Sequence, residues 1–330
     1  MGRLIFVVLI VAGAAAGWYL TANYTFEVHR AQDGKLEYVR IVARAASTAT
    51  PPDRRSDLPP AAPLRPAVRV ATFQLDGLDE KKLANPQVSD ALVRIIPRFD
   101  VVAVQGVRSK TRGVLMRLIE QVNATGRCYD FATCPTLDRN PVERYCAVLF
   151  DLTTVEVDRT TVHSIEDPTG RFRIAPLLAS FRVRGPPENE AFTFTVIDVE
   201  VDPNRIAEEV DLLGDVFRAV RDARPDEDDV ILLGDLETDP EHLGRLAQVP
   251  NITAVITSLL TTTRGTHLAD NILFDRRATV EYTGKAGVLD MIRELDLPPQ
   301  AAMEVSSHLP VWAEFSSYEG GQSAHIAVGP

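Results

Sequence analysis

Three carboxylates close the stretch Val230–Asp239, which reads Val-Ile-Leu-Leu-Gly-Asp-Leu-Glu-Thr-Asp. The apolar run before Gly234 reads as a strand buried on both faces, so Asp235, Glu237 and Asp239 fall where that strand leaves the core. Carboxylates crowded at a strand end raise one another's pKa or hold a cation between them, and either state equips them for acid-base or metal chemistry. An isolated Gly-Asp pair in such a place is also what a solvated turn looks like. The choice depends on what the rest of the chain brings alongside.

The chain has 330 residues, 45% hydrophobic and 25% charged, enough to bury a full core in one large domain or two small ones. Its formal net charge of −11 gives no bulk support to nucleic-acid binding, which favours a basic surface. Leu4–Leu20 is an uncharged apolar run, about 25 Å long as a helix at ~1.5 Å per residue against a hydrocarbon core of ~30 Å, and Thr21 and Ala22 can extend it. Arg3 precedes the run, and Trp18 and Tyr19 fall where an aromatic belt would lie. The sequence therefore predicts one transmembrane helix over 1–22, its amino end cytoplasmic, that anchors an exported chain in the membrane. The alternative is a cleaved signal peptide with Ala14-Ala15-Ala16 near the cleavage site, which exports the rest as well.

Residues 23–45 form a juxtamembrane segment in which Tyr38–Val42 alternates like a short strand. Residues 46–66 are rich in Pro, Ala and charge and read as an extended linker. A globular domain is expected over 67–318, with a tail over 319–330. Within it Val68–Leu75, Val101–Val104, Ala147–Phe150, Leu177–Val183, Phe192–Val201, Val230–Gly234, Asn271–Phe274 and Val311–Phe315 read as strands. Pro86–Pro97, Leu115–Val122 and Pro203–Ala223 read as helices. No repeat of fixed period appears, so a solenoid is excluded.

In order and spacing, these elements carry the blocks Val-Ala-Thr-Phe-Gln-Leu (70–75), Arg-Phe-Asp-Val-Val-Ala-Val-Gln-Gly-Val-Arg (98–108), Asn-Pro-Val-Glu-Arg-Tyr (140–145), Gly-Asp-Leu-Glu-Thr-Asp (234–239), Asp-Asn-Ile-Leu (270–273) and Ser-Ser-His-Leu-Pro-Val (306–311). The series resembles the endonuclease/exonuclease/phosphatase superfamily, most closely its deoxyribonuclease I-like branch, from Val68 to Phe315. That resemblance implies a four-layer α/β sandwich: two mixed β-sheets face to face, helices outside, and strand-end loops meeting in one cleft. It also implies hydrolysis of a phosphodiester, in nucleic acid or another phosphoester, with a divalent cation (Mg²⁺, Mn²⁺ or Ca²⁺).

Residue by residue, the resemblance is partial. Asp235, Asp270 and His308 match family catalytic positions, and Arg108 and Tyr145 match positions that contact phosphate or substrate. Gln74 stands where the family has Asn. Gly106 replaces a metal-holding Glu, Glu200 a His, Glu237 the Asn of Gly-Asp-x-Asn, and Ser307 the acid of Ser-Asp-His. Losing that Glu removes a hard oxygen ligand, and a carboxylate in place of an imidazole repels phosphate. If the strand ends meet, Glu200, Asp235, Glu237 and Asp270 share one concavity with His308, and Asp235 with Glu237 are candidate metal ligands. The other histidines, His29, His163, His242, His267 and His325, lack ligand spacing and read as surface residues. Outside that alignment, His308 reads equally as a hydrogen-bonded residue at a strand start.

Two functions follow from these substitutions. One is a domain of this fold that has lost hydrolysis and binds a ligand, a metal or a protein. The other is an active metal-dependent phosphodiesterase in which Glu200 or Glu237 replaces the missing Glu. The three cysteines, 128, 134 and 146, fall in one predicted hairpin; a turn near Arg139-Asn140 would set Cys134 opposite Cys146 and allow a disulfide, with Cys128 free. The topology reading carries its own test. Protease added to intact cells is expected to cut within 46–66 and release the domain, whereas protection until lysis would place it in the cytoplasm.

Overall fold

The computed structural model describes residues 24–30, 36–43, 58–109, 111–134, 144–224 and 227–321. Two compact units divide at Leu58 and Pro59. In the first, strands β1 (Tyr24–Arg30) and β2 (Leu36–Ala43) pair antiparallel, and β2 contains the expected Tyr38–Val42 strand. The predicted membrane span lies outside the described residues. Among the described residues no helix is long and apolar enough to cross a membrane.

The second unit runs β3 (Ala67–Leu78), α1 (Pro86–Ile95), β4 (Val101–Val107), α2 (Gly113–Asn123), β5 (Tyr129–Thr133), β6 (Tyr145–Asp151), β7 (Val155–Ser164), β8 (Leu177–Val183), β9 (Thr193–Glu200), α3 (Ile206–Ala223), β10 (Val230–Asp235), β11 (Ile252–Ala254), β12 (Asp270–Asp275), β13 (Tyr282–Val288), α4 (Pro299–Val305) and β14 (Val311–Ser316). Two six-stranded sheets form, ordered β13-β14-β3-β4-β6-β5 and β11-β12-β10-β9-β8-β7. Each contains one parallel pair, β3 with β4 and β9 with β10, and is otherwise antiparallel. A parallel pair needs a crossover, supplied by α1 in one sheet and α3 in the other.

Period-two alternation sorts the side chains into layers. Val68, Val70, Val101, Ala103, Phe194, Val196, Ile231, Leu233, Ile272 and Phe274 fill the space between the sheets. Ala71, Phe73, Val102 and Val104 turn the other way, onto Val88, Leu92 and Ile95 of α1 and Leu115 and Leu118 of α2. Ile197, Val199, Val230 and Leu232 do the same toward Val210, Leu213 and Phe217 of α3. Each such fully buried side chain contributes roughly 1.5–3 kcal/mol of burial, and rings such as Phe192 and Phe194, 4.9 Å apart, stack within the middle layer. The α1 start is set by Asn85, whose side chain accepts from Gln87 N at 3.0 Å, with Pro86 in the first turn.

Residues 59–66, which compose like the end of a linker, lie along this unit. Ala62 N donates to Thr153 O at 2.8 Å, Arg65 pairs with Asp100 at 2.7 Å, and Ser317 N donates to Pro66 O at 3.0 Å. The expected Cys134–Cys146 bridge is absent, and all three cysteines are thiols. Cys146 is buried among the inter-sheet side chains, where burial pushes its thiol well above its ordinary range.

Gly234 fixes how closely β10 approaches β9. Its φ is 153°, and a Cβ there would stand 2.0 Å from the Val199 carbonyl oxygen. Gly234→Ala is therefore expected to force the parallel pair apart and lower stability by at least ~4 kcal/mol. Gly265→Ala, with φ 63° and open space around it, should cost only about 1–2 kcal/mol. Urea unfolding of the two variants side by side checks this, and a Gly234→Ala protein as stable as Gly265→Ala would refute it.

Candidate active site

On the face between the sheets, each central strand runs apolar and then turns polar toward one pole. On β9 the sequence inward is Phe194, Val196, Asp198, Glu200; on β10, Ile231, Leu233, Asp235; on β3, Val70, Thr72, Gln74; on β4, Val101, Ala103, Gln105. β12 runs antiparallel to β10 and delivers Asp270 to the same pole, in register with Asp235. The site is thus built where both parallel pairs end.

Beneath the opening lies a fully buried polar layer. Gln105 Nε2 donates to Asp198 Oδ1 at 2.6 Å and to Thr72 Oγ1 at 2.9 Å, while Asp198 Oδ2 has no hydrogen-bond partner. Burial pushes the Asp198 carboxyl well above its usual range, and the hydrogen bond from Gln105 only partly opposes this. Above it the cleft divides into two halves. In the first, Gly106 N donates to Glu200 Oε2 at 3.0 Å, Arg144 pairs with the other Glu200 oxygen, and Arg173 lies 3.6 Å from that oxygen. Burial raises the Glu200 pKa, with the Arg144 charge as the main opposing influence. Gly106 has φ 70°, and a Cβ there would fall 2.0 Å from Gln74 Oε1 and 3.1 Å from the backbone nitrogen of Asp76. A side chain at 106 would begin against Gln74 Oε1 and Asp76 N, with Arg144 Nη2 at 3.2 Å, in a backbone conformation that favours glycine.

The second half retains a connected acid-imidazole arrangement. His308 Nδ1 meets Asp270 Oδ2 at 2.9 Å, and Thr261 Oγ1 donates to that same oxygen at 2.9 Å. Ser306 Oγ accepts from His308 N at 2.9 Å and donates to Gln74 O at 2.7 Å, tying the loop to β3. Gln74 Nε2 donates to Asp235 Oδ2 at 3.0 Å, and Glu237 N donates to Asp235 Oδ1 at 3.2 Å, with Glu237 at φ 53°. Burial and the neighbouring Asp270 charge raise the Asp235 pKa well above its usual range, against the opposing influence of His308. Burial lowers the His308 pKa, but the Asp270 charge and hydrogen bond outweigh that and carry it up to about 10. An open cleft of about 370 Å³ lies over these groups, lined by Glu237, Thr262, Arg264, Thr266, Met303 and His308.

Ser307 stands where the resemblance expects an acid, and a carboxylate reaches it from elsewhere. Asp76, at φ 49° just past Leu75, accepts from both Ser307 N and Ser307 Oγ at 2.6 Å. Burial raises its pKa, but the Ser307 hydrogen bonds and the His308 and Lys82 charges outweigh it, so the net shift is downward.

Asp235, Glu237 and His308 place one ligand atom each within 4.8 Å of one another. Asp235 and Glu237 offer hard oxygens that suit Mg²⁺, Mn²⁺ or Ca²⁺, with water completing the shell. His308 can join only through its second ring nitrogen and only after losing its proton. Of the four acids expected around His308, Asp235, Glu237 and Asp270 gather there, with Asp270 bonded to the ring, whereas Glu200 is engaged by arginines. Arg108 is exposed beyond the end of β4. Tyr145 faces the helix side of its sheet, its hydroxyl donating to Thr111 O at 3.0 Å, and does not line the cleft. His267, which reads as a surface residue, is exposed but stands at the cleft with Nε2 3.9 Å from Glu237.

Asp76, Gln105, Arg144, Arg173, Asp198 and Thr261 were not legible as site residues. Asp198 had a signal, since two residues before Glu200 on a strand means the same face. Arg144 and Thr261 come from loops, where no periodicity points anywhere, and Asp76 sits at the irregular end of β3, where the register with β4 shifts.

Two mixed sheets with an acid-imidazole cleft at the ends of their parallel pairs define a class of α/β fold. The chain belongs to the endonuclease/exonuclease/phosphatase family, which residues 71–288 match. It is 25% identical over 262 residues to deoxyribonuclease gamma of Rattus norvegicus, covering 74% of this chain and 83% of that protein. Deoxyribonuclease-1 of Sus scrofa is 26% identical over 262 residues, covering 74% and 90%. Deoxyribonuclease-1-like 1 of Homo sapiens is 26% identical over 260 residues, covering 75% and 84%. Among solved structures, D. rerio TDP2 humanised by 14 mutations superposes with a TM-score of 0.54 at 15% identity, covering 76% of this chain and 100% of that one. D. rerio TDP2 complexed with a single-strand DNA product gives 0.53 at 15% identity, covering 76% and 100%.

The folded His308 pKa of about 10 lies above the ordinary 6.5. Its stabilisation is therefore fully present below ~6.5 and lost as pH rises through ~10. In EDTA, the stability difference between wild type and His308→Gln is expected to shrink by on the order of 3–5 kcal/mol from pH 6 to above 10. Chemical denaturation across that range measures it; a pH-independent difference would show that Asp270 does not hold the imidazolium.

Proposed function

We propose that this domain is a hydrolytically impaired member of its family that binds a phosphoester ligand or a cation in its cleft, displayed outside the membrane by an amino-terminal anchor. The observation that carries this reading is the closed position at Gly106. There the resemblance expects a metal-holding Glu, and instead a glycine at φ 70° has Gln74 Oε1 and Arg144 Nη2 where a side chain would begin, so the cation end of the site lacks that ligand. A catalytic group acts as part of a unit, and loss of one member already removes most of the rate. The relatives are deoxyribonucleases and one structural neighbour holds a single-strand DNA product, which makes a DNA strand the first ligand to test.

A second reading, an active divalent-metal-dependent phosphodiester hydrolase with a rebuilt carboxylate site, draws support from the His308–Asp270 pair at 2.9 Å and from the Asp235, Glu237 and His308 cluster. A cation held by Asp235 and Glu237 would polarise a phosphoryl oxygen. In that reading His308, kept cationic by Asp270, would donate a proton to the leaving oxygen, and Arg144 would remain tied to Glu200.

Supercoiled plasmid separates the two. With Mg²⁺, Mn²⁺ or Ca²⁺, the wild-type protein is expected to nick DNA no faster than a variant carrying Asp235→Ala and His308→Ala. Robust metal-dependent nicking that those changes abolish would overturn the impaired reading and establish the second.

A further inference from the structure

A separate group of acids lies at the opposite end of β10, about 20 Å from Asp235 at ~3.3 Å per residue. Asp229, just before β10, Glu281, just before β13, and Glu319, after β14, each place a carboxylate oxygen within 4.8 Å of the others. Asp229 and Glu281 are 3% and 2% exposed, whereas Glu319 opens to solvent. Neighbouring backbone and hydroxyl groups satisfy part of the set: Glu319 Oε1 accepts from Thr193 N at 2.7 Å and Thr193 Oγ1 at 3.1 Å, and Glu281 Oε1 accepts from Gly320 N at 2.7 Å. Glu227 adds a fourth acid by accepting from Asp229 N at 3.1 Å.

The remaining atoms are left over. Asp229 Oδ1 and Glu281 Oε2 are buried without a hydrogen-bond partner. So is the hydroxyl of Thr279, a fully buried neutral side chain that lies against the Asp229 carboxylate. Among the described residues none of Asp229, Glu281 and Glu319 has an ion pair, and Arg224, whose charge acts on Glu227, donates to Ser180 Oγ at 2.9 Å. Three carboxylates within reach of one another, two of them with a buried oxygen that meets no hydrogen-bond partner, and open on one side through Glu319, form a donor set for a hard cation. Oxygens this close can share one Ca²⁺ at ~2.4 Å each, and ligands drawn from separate loops suit its loose geometry better than the strict octahedron of Mg²⁺.

We infer that Asp229, Glu281 and Glu319, with Thr279, form a Ca²⁺ site that clasps the two sheets together at the pole away from the cleft. The ion bridges the start of β10 in one sheet to the ends of β13 and β14 in the other. Glu319, at the last described helical turn, makes the carboxyl-terminal segment one jaw of the clasp. The competing occupant is a proton: burial and the Glu281 charge push Asp229 up to about 9 in the ion-free protein.

The test is run in a protein whose cleft is blinded by Asp235→Asn and Glu237→Gln, so that its outcome does not depend on the reading of the cleft. Ca²⁺ at about 100-fold over its Kd is expected to raise the thermal midpoint by roughly 5 °C or more, and adding Glu281→Gln should abolish that rise. Tb³⁺ should show emission sensitised by the adjacent Tyr282 and Tyr318, displaced by Ca²⁺. That measurement decides the matter even if the Glu281→Gln protein does not fold. A midpoint unmoved by Ca²⁺, a rise that survives Glu281→Gln, or absent Tb³⁺ emission would overturn the site and leave these acids to a shared proton.

Discussion

The structure depends on the burial of carboxylates between two sheets. Asp235 is 3% exposed and Asp270 fully buried, and a buried charge without compensation costs several kcal/mol. Each group around them answers that constraint. Gln74 and the Glu237 amide satisfy Asp235, Thr261 and His308 satisfy one oxygen of Asp270, and Ser306 holds the His308 backbone against β3. The cleft is consequently a fixed network in which exchanging one member changes the charge state of its neighbours. For that reason Gly106 is not a simple gap. Gln74, which also serves Asp235, and Arg144 stand where its side chain would begin, and its backbone amide holds Glu200 from the neighbouring sheet.

This wiring gives the two halves of the cleft different chemistry. On the Glu200 side, negative charge is cancelled by Arg144 and Arg173, and the two arginines are held by acids, so an incoming phosphate must compete with Glu200 and Asp202 for them. On the His308 side, Asp270 stabilises the charged imidazole, and Glu237 and His267 remain partly open to solvent. An anionic ligand therefore meets its accessible positive charge beside His308, while a cation meets oxygen ligands at Asp235 and Glu237. The two compete unless they bind together, as a metal and a phosphoester do.

The central strands were legible because both faces of each are buried, which leaves continuous apolar runs such as Val230–Leu233 and Val101–Val104. β7 and β13 are edge strands whose exposed positions carry Asp, Arg, Thr and Lys, so neither continuity nor alternation marks them. The retained site positions were legible through the resemblance, and strand register brings Asp235, Glu200 and Asp270 to neighbouring rungs. What the sequence concealed is replacement in space by residues remote in the chain. Asp76 supplies a carboxylate to Ser307 from 231 positions away, and Arg144 neutralises Glu200 from a loop with no pattern. A substitution count reads Gly106 and Ser307 as losses, because it sees positions and not the groups that move into them.

β10 joins these themes in one strand. Its middle is apolar on both faces, and each of its ends delivers a buried acid, Asp235 at one and Asp229 at the other. At the Asp235 end the acids face His308, Arg144 and Arg173, which pair with Asp270, Glu200 and Asp202. At the Asp229 end Glu227, Glu281 and Glu319 converge with no ion pair among the described residues. Burial makes the same demand at both ends, and the groups within reach decide how it is met: by side chains of the protein at one pole, and at the other by whatever the solution supplies, a proton or a cation. Since Gly234 holds β10 against β9, a rigid strand links the two poles.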